Sequence, residues 1–117
     1  MLSLGLPVEI FLCVEPTDMR SGYDRLALRA QERAGRDVLA GGLFVFFNRR
    51  RDRVKLLYWD RDGLAVWQKR LEAGTFQLPV IAPDATSLAL SGAQLTLILS
   101  GIDLSSVRQR KRYRLPA

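Results

Sequence analysis

The chain has 117 residues, 48% hydrophobic and 26% charged, which fits one folded domain and leaves no room for two. It holds no histidine and a single cysteine, excluding a Ser-His-Asp triad, a histidine-ligated metal, an internal disulfide and a thiolate zinc cage. Eighteen basic residues, fifteen of them arginine, face twelve acidic ones for a formal net charge of +6; five of the basic residues stand in the last ten positions, where there is no acid, so the preceding 107 positions are nearly neutral.

The longest apolar runs, Leu43 to Phe47 and Leu95 to Leu99, are far too short to cross a bilayer. The N-terminal apolar stretch has no basic leader and is interrupted by Pro7 and Glu9, so it does not read as a secretory signal. Cys13 lies within Ile10-Phe11-Leu12-Cys13-Val14 and reads as a small buried hydrophobe. A cytoplasmic protein without membrane contact is the expectation.

Taken in chain order, Val8 to Val14 is β-rich and predicts a strand ended by Pro16. Ser21 with Asp24 three residues on resembles a capping box, with Thr17 or Asp18 as the competing cap. Tyr23, Leu26, Ala27, Ala30 and Ala34 then form a helical apolar stripe, and Gly35 suits the residue just past the helix end. Leu43 to Asn48 and Val54 to Trp59 predict two strands joined by the turn Arg49-Arg50-Arg51-Asp52-Arg53. Asp60-Arg61-Asp62-Gly63 predicts a tight hairpin into a strand over Leu64 to Leu71, because Asp-Gly tolerates left-handed backbone. Gly74 breaks that strand, and Phe76 to Ile81 reads as a short extended piece. Pro83 to Thr86 is a loop, and Ser91-Gly92-Ala93-Gln94 is a true capping box ahead of a helix stopped by Gly101. The sum is an α+β fold: a small antiparallel sheet, a three-stranded meander plus an N-terminal strand, carrying two helices. Residues 1–103 form a single domain. Residues 104–117 form a basic C-terminal arm that cannot bury enough surface to offset its ordering entropy and is expected to stay mobile until it binds.

That arm carries the clearest functional signal. Arg108, Arg110, Lys111, Arg112 and Arg114 can neutralise phosphates and release their counterions, and Tyr113 among them can stack on a base. The competing reading is a solvated terminus. A second basic cluster, Arg49, Arg50, Arg51 and Arg53 at a hairpin tip, is placed to grip a nucleic-acid backbone, although charged turns are common. Asp18, Asp24, Asp60, Asp62 and Asp103 are the carboxylates a metal-dependent nuclease would draw on, yet each sits where helix caps and turns favour an acid anyway. Trp59 and Trp67 flank the Asp-Gly turn and are expected in the core. No cofactor or metal is expected.

In order and spacing, several segments together resemble the small accessory protein, TnpB or Orf2-like, of the insertion sequence 66 family of bacterial mobile elements. They are Thr17-Asp18-Met19-Arg20 with Gly22, Asp24, Leu26 and Ala27; Leu43-Phe44-Val45-Phe46 with Arg49-Arg50 and Asp52; Lys55, Trp59-Asp60 and Gly63; Lys69-Arg70-Leu71-Glu72 with Gly74 and Phe76; and Leu99 to Asp103. The resemblance spans Val8 to Asp103. It implies a role in transposition beside a larger transposase that carries the catalytic carboxylates, and it transfers no catalytic residue. Thr17, Asp18, Arg20, Asp24, Arg49, Arg50, Lys55, Asp60, Lys69 and Arg70 occupy motif positions. The expectation is a non-enzymatic factor for DNA transposition. Its partners would be DNA backbone, the element transposase and a second copy of itself. The alternative is a pure protein–protein adaptor within the transposition complex.

Overall fold

The computed structural model describes residues 8–103 and 108–109. A five-stranded sheet is built from β1 (Ile10–Cys13), β2 (Leu43–Phe47), β3 (Arg53–Asp60), β4 (Gly63–Arg70) and β5 (Ser87–Leu90), in the order β4-β3-β2-β1-β5. The helices are α1 (Tyr23–Ala34) and α2 (Gly92–Ser100), with a short 3-10 turn at Val38–Ala40. The expected α+β architecture is the one observed, with most strand pairs antiparallel. The exception is β1 beside β2, which is parallel and in register from Ile10↔Leu43 to Cys13↔Phe46. Parallel neighbours need a long crossover, and α1 supplies it.

Period-two alternation divides the sheet into two faces. Leu43, Val45 and Phe47 of β2 point to one side, with Leu12, Leu56, Phe76, Leu95 and Ile98; Phe44 and Phe46 point to the other, with Cys13, Leu26, Ala30 and Leu57. Two apolar layers therefore sandwich the sheet, one under α1 and one under α2 and the 71–81 segment. All five β2 side chains are buried. At roughly 1.5–3 kcal/mol for each large apolar side chain removed from water, this strand is the centre of the fold's stability.

Several expectations are corrected. Strand β5 lies at Ser87–Leu90, a stretch too short for its pattern to announce a strand; it pairs antiparallel with β1. Helix α1 begins after Gly22, which offers no side-chain cap, so neither Ser21 nor Thr17 nor Asp18 caps it. Ser21 is buried, and its carbonyl accepts from Lys55 Nζ at 2.8 Å. Tyr23, placed on the apolar stripe by spacing, is 54% exposed. At the Asp60–Gly63 turn the left-handed residue is Arg61 (φ 55°), while Gly63 pairs with Asp60. Trp67 packs half-buried on the α2-side core, but Trp59 is exposed.

Other expectations hold. Gly35 and Gly101 end the two helices in left-handed conformation, at φ 65° and 82°. Both bonds of the Ser91/Gln94 capping box form, at 3.0 and 2.8 Å. The Phe76–Ile81 piece joins no ladder but buries Phe76 against Phe47, ring centroids 5.4 Å apart. Beyond α2, Ile102–Asp103 (β6) pairs antiparallel with Arg108–Gln109 (β7), so the backbone at Arg108 turns back on the chain. Arg110, Lys111, Arg112, Tyr113 and Arg114 lie outside the described residues.

Candidate nucleic-acid interface

Strands β1 and β2 are parallel, and β4 shares their direction because two antiparallel steps separate it from β2. Their C-terminal ends therefore open on the same edge of the sheet. The segments that follow β1 and β2, and the end of β4 itself, are brought together there. In open sheets the space outside the carboxyl ends of parallel strands is a recurrent binding position.

The first wall of the resulting cleft is the 16–20 loop. Thr17 N donates to Phe47 O at 2.8 Å, tying the loop to the end of β2. The Asp18 carboxylate accepts from Arg20 N at 2.9 Å, from Nε at 3.1 Å and from the guanidinium terminus at 2.7 Å. These charge-assisted bonds hold the Asp18 carboxyl well below the usual carboxylate range and raise the Arg20 guanidinium. Both groups are largely exposed, so solvent screens the pair and it orients the loop more than it stabilises the fold. Thr17 is 3% exposed, and its hydroxyl has no hydrogen-bond partner among the described residues.

The second wall is the β2–β3 loop, which Asn48 organises. Its Oδ1 accepts from Asp52 N and Arg53 N, each at 3.1 Å, while Nδ2 donates to the Asp52 carboxylate at 2.7 Å. Arg51 takes left-handed backbone (φ 58°). Two long-range bonds brace the loop from behind, Leu71 N to Asp52 O at 2.8 Å and Phe76 N to Arg51 O at 2.7 Å. The arginines thus project from a braced turn rather than a free one.

The cleft measures about 780 Å³ and is lined by Arg20, Arg49, Arg50, Arg53 and Arg70 against Asp18 and Asp52. A neighbouring depression of about 380 Å³ adds Lys55 and Lys69 and shares Arg53 and Arg70. Arg20 is committed to Asp18, and Arg70 reaches Glu72 at 3.4 Å. Arg49, Arg50 and Arg53 have no ion-pair partner among the described residues. Unpaired guanidinium forks on one rim match phosphate oxygens in geometry and charge. Of the four hairpin arginines expected at a site, Arg49, Arg50 and Arg53 line the cleft and Arg51 does not. Sequence reasoning missed Arg20 and Arg70 as partners of the hairpin, and their positions within the family pattern were the only available signal.

The remaining motif residues do other work. Lys55 Nζ fixes the entry to α1, and Lys69 Nζ approaches Leu99 O at 3.4 Å, where the C-terminus of α2 favours a cation. Asp24 stands in the first turn of α1. Asp60 lies at the far end of β3, seven residues from Arg53 and so about 24 Å from the cleft at ~3.4 Å per residue. Asp18 and Asp60 thus cannot share an ion. Among the described residues no three His, Cys, Asp or Glu side chains gather as metal ligands. No described helix is long and apolar enough to cross a membrane.

The model of the IS66 Orf2-like protein family matches residues 8–109. Two relatives come from Sinorhizobium fredii (strain NBRC 101917 / NGR234). The uncharacterized protein y4hO is 40% identical over 103 residues, covering 88% of each chain. The uncharacterized protein y4jC is 30% identical over 110 residues, covering 94% of this chain and 92% of the relative. No solved structure matches.

Proposed function

We propose that this chain, which belongs to the IS66 Orf2-like family and so to the accessory proteins of transposition, acts there as a non-catalytic DNA-holding factor. The observation that carries this reading is the rim of Arg49, Arg50 and Arg53, unpaired among the described residues and set beside Arg20 and Arg70 where three strands end. These groups grip backbone phosphates, and Arg108, Arg110, Lys111, Arg112 and Arg114, with Tyr113, extend the grip. Phosphate contacts position a protein without reading sequence, so the element's ends are chosen by the transposase.

A fluorescence-anisotropy salt titration on duplex DNA tests this. Wild type is expected to bind weakly, with affinity falling steeply as salt rises. Arg49→Ser with Arg50→Ser should flatten the log–log slope by about two, one unit for each lost phosphate contact. Serine substitutions at Arg110, Lys111, Arg112 and Arg114 should flatten it separately. Substitution is preferable to truncation after Val107, which would also delete β7. A slope unchanged in both variants refutes the reading.

Exposure of Trp59, at 38%, favours the second reading, an adaptor that docks on the transposase through an aromatic contact. Phe76, by contrast, is buried and unavailable for such a contact. Absence of DNA binding at low salt, with transposase retained in a pull-down and released by Trp59→Ala, would establish the adaptor instead.

A further inference from the structure

Strand β4 closes one side of the sheet, and no described segment pairs with its outer edge. It is eight residues long and matches β3 pair for pair from Arg53↔Arg70 to Asp60↔Gly63, without a bulge. Natural edges of this length are usually blunted by proline, a bulge or a central charge. Here Gly63 to Trp67 has none of these. The charges stand at the two ends: Asp60, Arg61 and Asp62, at the turn that leads into the strand, carry a net negative charge, and Lys69 and Arg70 at its finish a positive one, all exposed. Between them Leu64, Ala65, Val66 and Trp67 are half-buried.

A strand with a net acidic turn before it and base at its finish complements a second copy of itself when the two run antiparallel. We propose that the chain forms a two-fold dimer through β4, joining two sheets into one of ten strands. Register follows from charge. With α1 of both copies on the same face, pairing centred on Val66 sets Asp62 of each copy opposite Arg70 of the other, Leu64 opposite Gln68, and Ala65 opposite Trp67. Centring on Ala65 would instead oppose Arg61 to Lys69, and centring on Trp67 would set Leu64 against Arg70. Like charges directly across a strand pair are destabilising, and opposite charges favour the pairing. The bond from Arg70 to Glu72 is long at 3.4 Å and exposed, so the guanidinium is free to swing to the partner's carboxylate.

The dimer would hold the two Arg70 residues about 27 Å apart along the strands, eight residues at ~3.4 Å each, with both clefts at its outer ends. If the DNA reading above holds, the dimer is a bivalent grip on one duplex; the dimer itself does not depend on that reading.

The test is sedimentation equilibrium of the full chain without DNA, over a wide range of concentration. Wild type is expected to show a monomer–dimer equilibrium. Asp62→Arg and Arg70→Asp each place like charges opposite one another twice by symmetry, and should each weaken the dimer about tenfold or more. The double exchange, Asp62→Arg with Arg70→Asp, should restore it. Both positions are exposed, and unchanged circular dichroism of the variants confirms folding. A monomer at every concentration, a dimer indifferent to either single exchange, or a double exchange that fails to restore it overturns the proposal. Loss of DNA binding with the dimer intact would strike only the functional reading.

Discussion

The two hairpin loops of the central strands differ in what holds them. The β3–β4 turn is local: Arg61 and Asp62 are closed by their own neighbours, and no described segment buttresses them. The β2–β3 loop is non-local. Asn48 ties it internally, the backbone of Leu71 and Phe76 grips it from behind, and the 16–20 loop stands alongside. The local turn is the stronger sequence signal, yet the braced loop carries the arginine rim. A turn that only reverses the chain needs its own residues; a turn that presents charges at fixed positions needs support from elsewhere.

This contrast is open to direct attack. The largest effect should come from Phe76→Ala, which empties the space against Phe47 and frees the brace. A loss of about 3–5 kcal/mol in chemical denaturation is expected, together with weaker DNA binding. Next, Asn48→Ala strands the amides of Asp52 and Arg53 and should cost about 2 kcal/mol. A near-neutral result there would show the loop to be as self-sufficient as its counterpart.

Packing beneath the cleft end is reported by Cys13, which pairs with Phe46 at the close of β1. Burial pushes its thiol up to about 11 from the ordinary 9.0, against the opposing pull of Arg29 and Arg33. The folded chain keeps this proton where the unfolded chain has lost it. Stability should therefore fall as pH rises from 9.0 to about 11 and level off above. Cys13→Ala should remove that slope in thermal melts run across the interval; a slope equal to wild type would place the thiol in water. The smallest effect is expected at the local turn. Gly63 has no positive φ and a Cβ there meets nothing within 4 Å, so Gly63→Ala should shift stability by less than about 0.5 kcal/mol. A larger loss would mean that this turn, too, depends on tertiary support.

Much of the fold was legible in residue order. The aromatic density of Leu43 to Phe47, the apolar runs Val54 to Trp59 and Leu64 to Leu71 about an Asp-Gly turn, the Ser91/Gln94 box and the terminal glycines Gly35 and Gly101 name their elements through local sterics and local hydrogen bonds, which need no partner. Strand β5 was not legible, because four residues of SLAL become a strand only beside β1. The start of α1 misled, because Ser21 offered a cap one residue too early: the helix begins after Gly22, and the Ser21 carbonyl is held by Lys55. Trp59 misled as well: alternation assigns it to a face but cannot say whether anything covers that face.

The candidate site divides in the same way. Sequence alone determined that this chain carries an excess of arginine, a hairpin rich in it and the pattern of the IS66 Orf2-like family, since charge and order are properties of the string. Only the tertiary structure decided that Thr17 to Arg20, Arg49, Arg50, Arg53 and Arg70 share one cleft. The cause is the parallel pairing of β1 with β2 across the α1 crossover, which sends both following loops to the same edge. An antiparallel pair would have sent them to opposite edges, with the same residues in the same order.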